Sequence, residues 1–211
     1  MNTIDRLLRA CATGVGCRAV INMKVLNGIP RARWSAIARA ILELPAIHPR
    51  AKERWLNVFV VHAPFLYFLR DDLDLSIALA RKVLPPYWGG DLVLYRGQLG
   101  ADPPGMSWSW VPWVAIRYAR FGSACEPWGE IGPEGRNDAV ILSALVPAQN
   151  IICSVFLGAS CHYSTEFVID PRGVDFVTEP AESAINWIRP YTIQRALQLG
   201  ADHHVALKLL P

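Results

Sequence analysis

Three short segments in the second half of the chain hold polar residues at positions that suit chemistry. The first is Leu94-Tyr95-Arg96-Gly97, in which an arginine directly follows an apolar, β-prone run. A guanidinium withdrawn from water needs an anion, and its planar fork matches a phosphate. Gly97 lacks a side chain, which permits a flat ligand to approach the backbone closely. The same residues also fit an arginine at a strand end that reaches solvent beside a turn.

The second segment, Gly105-Met106-Ser107-Trp108-Ser109-Trp110, alternates serine with tryptophan. A period of two is typical of a β-strand, so Ser107 and Ser109 are expected on one face of it. Two hydroxyl groups on that face would hold a ligand ribose or orient a carboxylate. An edge strand that buries its tryptophan face would give the same pattern.

The third segment, Ser164-Thr165-Glu166-Phe167-Val168-Ile169-Asp170-Pro171, places Glu166 at the start of an apolar strand. A carboxylate in such surroundings costs free energy unless it is hydrogen-bonded or paired. A carboxylate held in this way can stabilise the positive charge that develops on a sugar during glycosidic cleavage. A strand-end glutamate that faces water is the alternative interpretation.

In this order the three segments resemble the motifs of the Arg–Ser–Glu class of ADP-ribosyltransferases. Compact bacterial and phage members of that class have a YRG strand, then G-x-SWT, and finally E-x-x-x-D-P. The similarity runs from about Asp91 to Glu179 and does not extend to residues 1–90. The order of the predicted elements, helices first and strands later, indicates an α+β fold with an N-terminal helical region (1–88). For residues 89–211 the resemblance implies a β-rich, split-sheet ADP-ribosyltransferase-like domain.

The resemblance also implies a set of residues that bind NAD⁺ as co-substrate: Tyr95, Arg96, Gly97, Ser107 and Ser109. Arg96 would hold the phosphates, and Gly97 would meet the nicotinamide amide through its backbone. Ser107 would contact the ribose on the nicotinamide side.

Glu166, Arg96 and Ser107 are the catalytic residues that the resemblance implies. Glu166 would bind the ribose 2′-hydroxyl and stabilise the oxocarbenium-like transition state as nicotinamide leaves, while Ser107 positions that carboxylate. No metal is expected, because the leaving group is already a pyridinium cation. The protein's task is then positioning and electrostatics.

This sequence differs from the motifs of the class at a position that affects which group accepts the ADP-ribose. Members that modify arginine carry a glutamate two residues before the catalytic one, where this chain has Ser164. A hydroxyl replaces that carboxylate poorly, so an arginine acceptor is not expected, and protein and nucleic acid both remain open. Residues 122–136 fall where relatives place a mobile loop beside the cofactor. Trp128 in this loop would stack on a ligand or anchor the surface.

The expected function is therefore NAD-dependent mono-ADP-ribosylation of a macromolecular acceptor, as in a bacterial toxin or phage-defence effector. A catalytically inactive member, acting as a binding or regulatory module, and an NAD glycohydrolase are the alternatives. The helical N-terminal region would bind an antitoxin or immunity protein, recognise the acceptor, or form an oligomer interface.

The composition of the chain argues against several general classes of protein. Apolar residues make up 52% of the chain and charged residues 18%, which argues against disorder. The net charge of +3 comes without a polybasic run, so charge alone gives no strong case for nucleic-acid binding.

The apolar stretch from Trp55 to Leu69 is shorter than the roughly 20 residues of a membrane span, so no membrane association is expected. The N-terminus has no signal-peptide pattern.

Five irregularly spaced cysteines form no C-x-x-C pair and no zinc-finger spacing, so a metal site is not expected. Cys153 and Cys161 lie in apolar surroundings and are expected to be buried, reduced thiols. These features indicate a reducing cytoplasm.

Rival enzyme classes lack their signatures. The sequence contains no G-x-S-x-G elbow of a serine hydrolase and no glycine-rich nucleotide loop. Cys161 and His162 are adjacent, so on a strand they point to opposite faces and do not cooperate. His203 and His204 fit a solvated helix face.

Helices are predicted in the first part of the chain, and strands are predicted over most of the second part. A helix is predicted after Pro30 with its end at Pro45, another from about Arg50 with a kink at Pro64, and a third that starts at Asp71 or Asp72 and stops at Pro85-Pro86. Strands are predicted over 92–95, 139–146, 151–157, 166–169 and 174–178. Helices are predicted over 112–121 and 181–199, the last bent at Pro190.

Overall fold

The computed structural model describes residues 2–61, 72–100, 102–121, 138–155 and 166–188, excluding the side chains of 59–61, 121 and 155. The chain divides into two compact units. One comprises Met1–Trp88 with Ile151–Asp170, and the other comprises Gly89–Asn150 with Pro171–Pro211. The described residues form helices and antiparallel strand pairs, which agrees with the predicted α+β class.

Helices dominate the first unit, as predicted for this part of the chain. They are α1 Thr3–Thr13, α2 Cys17–Val20, α3 Met23–Asn27, α4 Trp34–Leu42, α5 Pro49–Val61 and α6 Leu73–Val83, with a 3₁₀ turn at Arg31–Arg33 before α4. The sequence patterns predicted α4, the start of α5 and α6, but did not resolve α1 to α3. The predicted kink at Pro64 lies outside the described residues.

Local capping explains where these helices begin and end. The Asn2 side chain accepts the amide of Asp5 at the start of α1, and Gly14 ends that helix in a left-handed conformation with φ of 72°. Asp72 is the residue that caps α6, since its carboxylate accepts the amide of Leu75 at 2.9 Å. The Pro85-Pro86 stop agrees with the observed end of α6 at Val83.

Large side chains fill the core of the first unit. Trp34 and Trp55 are fully buried, together with Leu7, Ile37, Ile41 and Leu79. The indole Nε1 of Trp55 donates to the Sγ of Cys11 over 3.4 Å, which joins α5 to α1.

Two strands also belong to the first unit, namely β4 (Ile151–Val155) and β5 (Glu166–Ile169), which pair antiparallel. The amide of Tyr87 donates to the carbonyl of Ile152, and its ring packs edge-on against Phe167 at 6.1 Å. These contacts join β4 and β5 to the residues that follow α6. The predicted division into domains 1–88 and 89–211 stays a prediction.

The second unit is built on four strands in the order β2-β1-β3-β6. These are β1 Leu92–Leu99, β2 Ser107–Ser109, β3 Ala139–Val146 and β6 Val177–Pro180. Two helices accompany them: α7, at Pro112–Phe121 as predicted, and α8, which covers 181–188 within the described residues. A 3₁₀ turn at Ala148–Asn150 follows β3. The rest of the predicted final helix, including the bend at Pro190, lies outside the described residues.

Two strand boundaries differ from the prediction. β1 continues past Tyr95 to Leu99, because all eight of its residues pair with β3 from Leu92↔Val146 to Leu99↔Ala139. β6 begins at Val177 rather than Val174, since Gly173 (φ of 67°) and a bond from the Val174 amide to the Pro171 carbonyl form a turn there. Pairing with β3 defines the strand only from Val177 onward.

Helix α7 packs on β1 at the smallest residue of that strand. A Cβ added to Gly97 would overlap the carbonyl oxygen of Ala115 and lie 2.6 Å from the amide nitrogen of Ala119. Both alanines are buried in a cluster that includes residues of β3 and α8. The close approach therefore needs glycine on the strand and small residues on the helix.

Candidate functional site

Arg96 lies inside the central strand of the second unit rather than at a strand end. It pairs with Leu142 of β3, and β1 is bordered on its other side by β2. The residue is half-buried. A guanidinium in this position is more enclosed than the strand-end arginine considered from the sequence.

Two oxygen atoms orient the Arg96 guanidinium. Its Nε donates to the Oε1 of Gln98 at 2.9 Å, and its Nη1 donates to the carbonyl oxygen of Ser107 at 2.7 Å. Both of these acceptors are neutral, so neither of them cancels the positive charge. These two hydrogen bonds hold the side chain in a defined direction.

The turn before β2 contacts the same guanidinium. A Cβ placed on Gly105 would lie 2.7 Å from Nη2 of Arg96 and 2.9 Å from its Cζ. The indole Nε1 of Trp108 donates to the Gly105 carbonyl at 2.8 Å and fixes this turn. Trp108 itself is only 2% exposed, so its burial anchors the approach of Gly105 to the arginine.

Ser107 and Ser109 occupy one face of β2, as their alternation predicted. Tyr95 pairs directly with Ser109 in the antiparallel ladder, so these side chains share a face, and Arg96 projects from the other. The contact between Arg96 and Ser107 therefore runs through the serine carbonyl. The Oγ of Ser109 accepts the amide of Val111 at 3.0 Å and shapes the entry into α7.

Tyr95 and Gly97, both expected to bind the cofactor, face the α7 side of the sheet. The Tyr95 ring lies 6.0 Å from that of Trp187, whose indole donates to the Glu179 carboxylate at 2.8 Å. Gly97 is in contact with the backbone of α7. Packing of the helix thus explains the glycine without reference to a ligand.

Glu166 is the first residue of β5 and is half-buried opposite Val155 of β4. The following residues anchor the strand, since Val168 and Ile169 are buried. Asp170, the aspartate of the D-P pair, is 7% exposed and lies 3.5 Å from the guanidinium of Arg81. That ion pair gives Asp170 a structural role in the first unit.

The structure brings Arg96 and Ser107 into direct contact within the second unit, and it places Glu166 in the first unit. Several other residues named from the sequence lie outside the described residues, namely Trp128, Cys161, His162, Ser164, His203 and His204.

Cys11 and Cys153 are poor nucleophiles. Cys11, Cys17 and Cys153 are free and buried, as expected for Cys153. Burial raises the pKa of Cys153 to about 12. Burial likewise raises the pKa of Cys11 to about 11, although the hydrogen bond from Trp55 opposes that shift. At neutral pH Cys11 and Cys153 are therefore thiols, and the thiolate is the reactive form.

The described residues contain neither a metal-binding cluster nor a membrane-spanning helix. Within these ranges no group of three or more His, Cys, Asp or Glu side chains is arranged to hold a metal ion. Among the same residues, no helix combines the length and apolar character needed to cross a membrane.

Sequence reasoning missed two residues of this site, Gln98 and Gly105. A single glutamine two positions after an arginine is unremarkable, although the period of a strand does place it on the face of Arg96. The role of Gly105 depends on how the turn before β2 folds back, which no local pattern encodes.

No protein-family description, curated protein sequence or solved structure matches this chain.

Proposed function

We propose that this protein is an NAD-dependent mono-ADP-ribosyltransferase that transfers ADP-ribose to a protein or nucleic acid. The observation that carries the proposal is the Arg96 guanidinium, oriented by Gln98 and by the backbone of the Ser107 strand. This contact joins the first two motifs of the ordered Arg–Ser–Glu series. Glu166 at the start of an apolar strand supplies the third.

Arg96 would bind the diphosphate of NAD⁺, because a planar guanidinium donates two parallel hydrogen bonds to phosphate oxygens. Two neutral contacts already hold the side chain. Less rotational freedom is therefore lost when the ligand binds. In this role Arg96 fixes the position of the cofactor relative to the reacting sugar.

Glu166 would act at the reacting ribose. The bond between the anomeric carbon and the nicotinamide nitrogen breaks, and its electron pair leaves with nicotinamide. The carboxylate stabilises the positive charge that develops on the ribose. A nucleophilic atom of the acceptor then bonds to the anomeric carbon and releases its proton. Ser107 would contact the reacting ribose.

The biological setting belongs to the same proposal. The three described cysteines are free thiols, which supports a reducing compartment such as the cytoplasm. A bacterial toxin or phage-defence effector fits this activity, and an antitoxin or immunity protein would then be its partner.

Labelled NAD⁺ added to cell lysate with the purified protein tests the proposal. We expect label on a macromolecule with the wild type and none with Glu166→Ala. Protease or nuclease treatment then identifies the acceptor class. Nicotinamide release without labelled acceptor would instead show an NAD glycohydrolase. Binding of NAD⁺ with neither reaction would show a binding module.

A further inference from the structure

Gln98 is a buried amide whose two ends are both engaged. It is 8% exposed and lies two residues after Arg96 on β1, hence on the same face of the strand. Its Oε1 accepts from the Nε of Arg96, and its Nε2 donates to the carbonyl oxygen of Asp102. The side chain therefore links the guanidinium to the backbone of the turn between β1 and β2.

These partners leave the amide a single orientation. A backbone carbonyl only accepts hydrogen bonds and the Nε of arginine only donates them. The amide nitrogen must consequently face Asp102 and the amide oxygen must face Arg96. A flipped amide would break both bonds within a buried site, at a cost in free energy.

Gly105 constrains the guanidinium from the turn. The position of its missing Cβ lies 2.7, 2.9 and 3.2 Å from Nη2, Cζ and Nη1 of Arg96. The backbone φ of Gly105 is not in the left-handed region, so an alanine there is not strained by conformation. The atoms that an added methyl group would displace belong to the end of a flexible side chain. Alanine at 105 should accordingly move the arginine and leave the fold intact.

We infer that Gln98 and Gly105 are positioning residues that set the direction of the Arg96 guanidinium for a diphosphate ligand. Gln98 fixes the Nε edge through its hydrogen bond, and Gly105 leaves the space that the planar group occupies. This inference rests on the proposed function, since it takes Arg96 to bind the phosphates of NAD⁺. It assigns the geometry of that contact to two residues outside the Arg–Ser–Glu series.

The test measures binding of two probes by calorimetry, ADP-ribose, which carries the diphosphate, and nicotinamide, which does not. We expect Gln98→Leu and Gly105→Ala each to weaken ADP-ribose binding by about tenfold, the scale of a lost hydrogen bond to a charged group. Nicotinamide binding should stay within about twofold of the wild type, whereas a general disturbance of the fold would lower both. Gly90→Ala is the matched control, because a Cβ at Gly90 meets nothing within 4 Å.

A double-mutant cycle shows whether Gln98 acts through Arg96. In an Arg96→Ala background, adding Gln98→Leu should change ADP-ribose binding by less than about twofold. If Gln98→Leu unfolds the protein, Gly105→Ala carries the same test.

Two results would overturn the inference in distinguishable ways. If Arg96→Ala loses ADP-ribose binding while Gln98→Leu and Gly105→Ala keep it, the positioning roles are wrong and the proposed function stands. If the wild type binds no ADP-ribose, or Arg96→Ala binds it normally, the phosphate role of Arg96 fails and the inference fails with it.

Discussion

The Arg96 guanidinium receives its orientation from an amide oxygen and a backbone carbonyl. A carboxylate in either position would hold the side chain more tightly but would compete with a ligand phosphate for its charge. The acceptors in these two positions are neutral. At the scale of the residue, the site therefore combines a fixed geometry with a cationic group suited to an anionic ligand.

Arg96→Lys should raise the KM for NAD⁺ by about tenfold or more with a smaller change in kcat, because an ammonium keeps the charge but loses the bidentate fork. Steady-state kinetics of nicotinamide release would measure both constants. An unchanged KM would contradict a role for Arg96 in phosphate binding.

Ser107→Ala should change kcat more than the KM for NAD⁺, the opposite of Arg96→Lys. The substitution keeps the carbonyl oxygen that accepts from Arg96, so the KM for NAD⁺ should change by less than about threefold. It removes the hydroxyl that is proposed to contact the reacting ribose, so kcat should fall. The same kinetic assay separates the two effects, and a rise in KM equal to that of Arg96→Lys would contradict this assignment.

The chemistry of single residues was predictable from the sequence only in part. An arginine after an apolar run and a glutamate before one are visible because charged groups are costly in such places. The hydrogen bond of Gln98 and the proximity of Gly105 to the guanidinium were not visible. Both depend on the path of the turn that returns from β1 to β2.

At the scale of the element, the packing of α7 on β1 depends on Gly97. Gly97→Ala should destabilise the protein by about 3 kcal/mol or more, the upper end for overpacking, because the obstructing atoms belong to a helix backbone. Urea unfolding would measure this loss, with Gly90→Ala as the control. Equal stability of the two variants would show that the helix does not approach the strand so closely.

The start of α6 depends on the Asp72 side chain, which accepts the amide of Leu75. Asp72→Ala should lower the free energy of unfolding by about 1 kcal/mol, whereas Asp72→Asn keeps an accepting oxygen and should be close to neutral. The ion pair of Asp72 with Arg39 spans 4.0 Å between exposed side chains and contributes little. A loss of stability as large in the asparagine variant would assign the effect to that ion pair.

The bounds of helices that begin at a proline or a capping residue were predictable from the sequence. The bounds of strands that are defined by pairing with a distant strand were less predictable. Pro112 and the Asp72 cap mark α7 and α6 within the sequence itself. β1 extends through Arg96 and Gly97 because β3 pairs with it along its whole length. The start of β6 is likewise set by its partner strand, which explains the shift from Val174 to Val177.

At the scale of the whole molecule, the buried thiols link stability to pH. Cys11 and Cys153 have pKa values of about 11 and about 12, raised by burial from the ordinary 9.0. Below pH 9 both the folded and unfolded states keep these protons, so the full contribution to stability is present. Above pH 9 the unfolded chain loses them first, and stability falls as pH rises towards the folded values.

Each thiol should therefore remove roughly 1.4 kcal/mol of stability per pH unit above 9 until its folded pKa is reached. Urea unfolding at pH 8 and pH 10 would show this decline, and a Cys11→Ala, Cys153→Ala double variant should show a shallower one. Other groups that titrate in this range contribute equally to both proteins, so the difference between the two slopes of stability against pH reports the two thiols alone. The same slope in both proteins would contradict the burial of these thiols.

Nicotinamide release by the purified protein is the most direct test of the proposed function. It measures the cleavage of NAD⁺, in which Glu166 is proposed to be the stabilising carboxylate. Wild type, Glu166→Gln and Glu179→Gln would be compared, the last because Glu179 is a strand glutamate bonded to Trp187 and lies outside the proposed site. We expect release by the wild type, a loss of about 10²-fold or more in Glu166→Gln, and little change in Glu179→Gln. No release by the wild type, or equal rates for all three proteins, would contradict it.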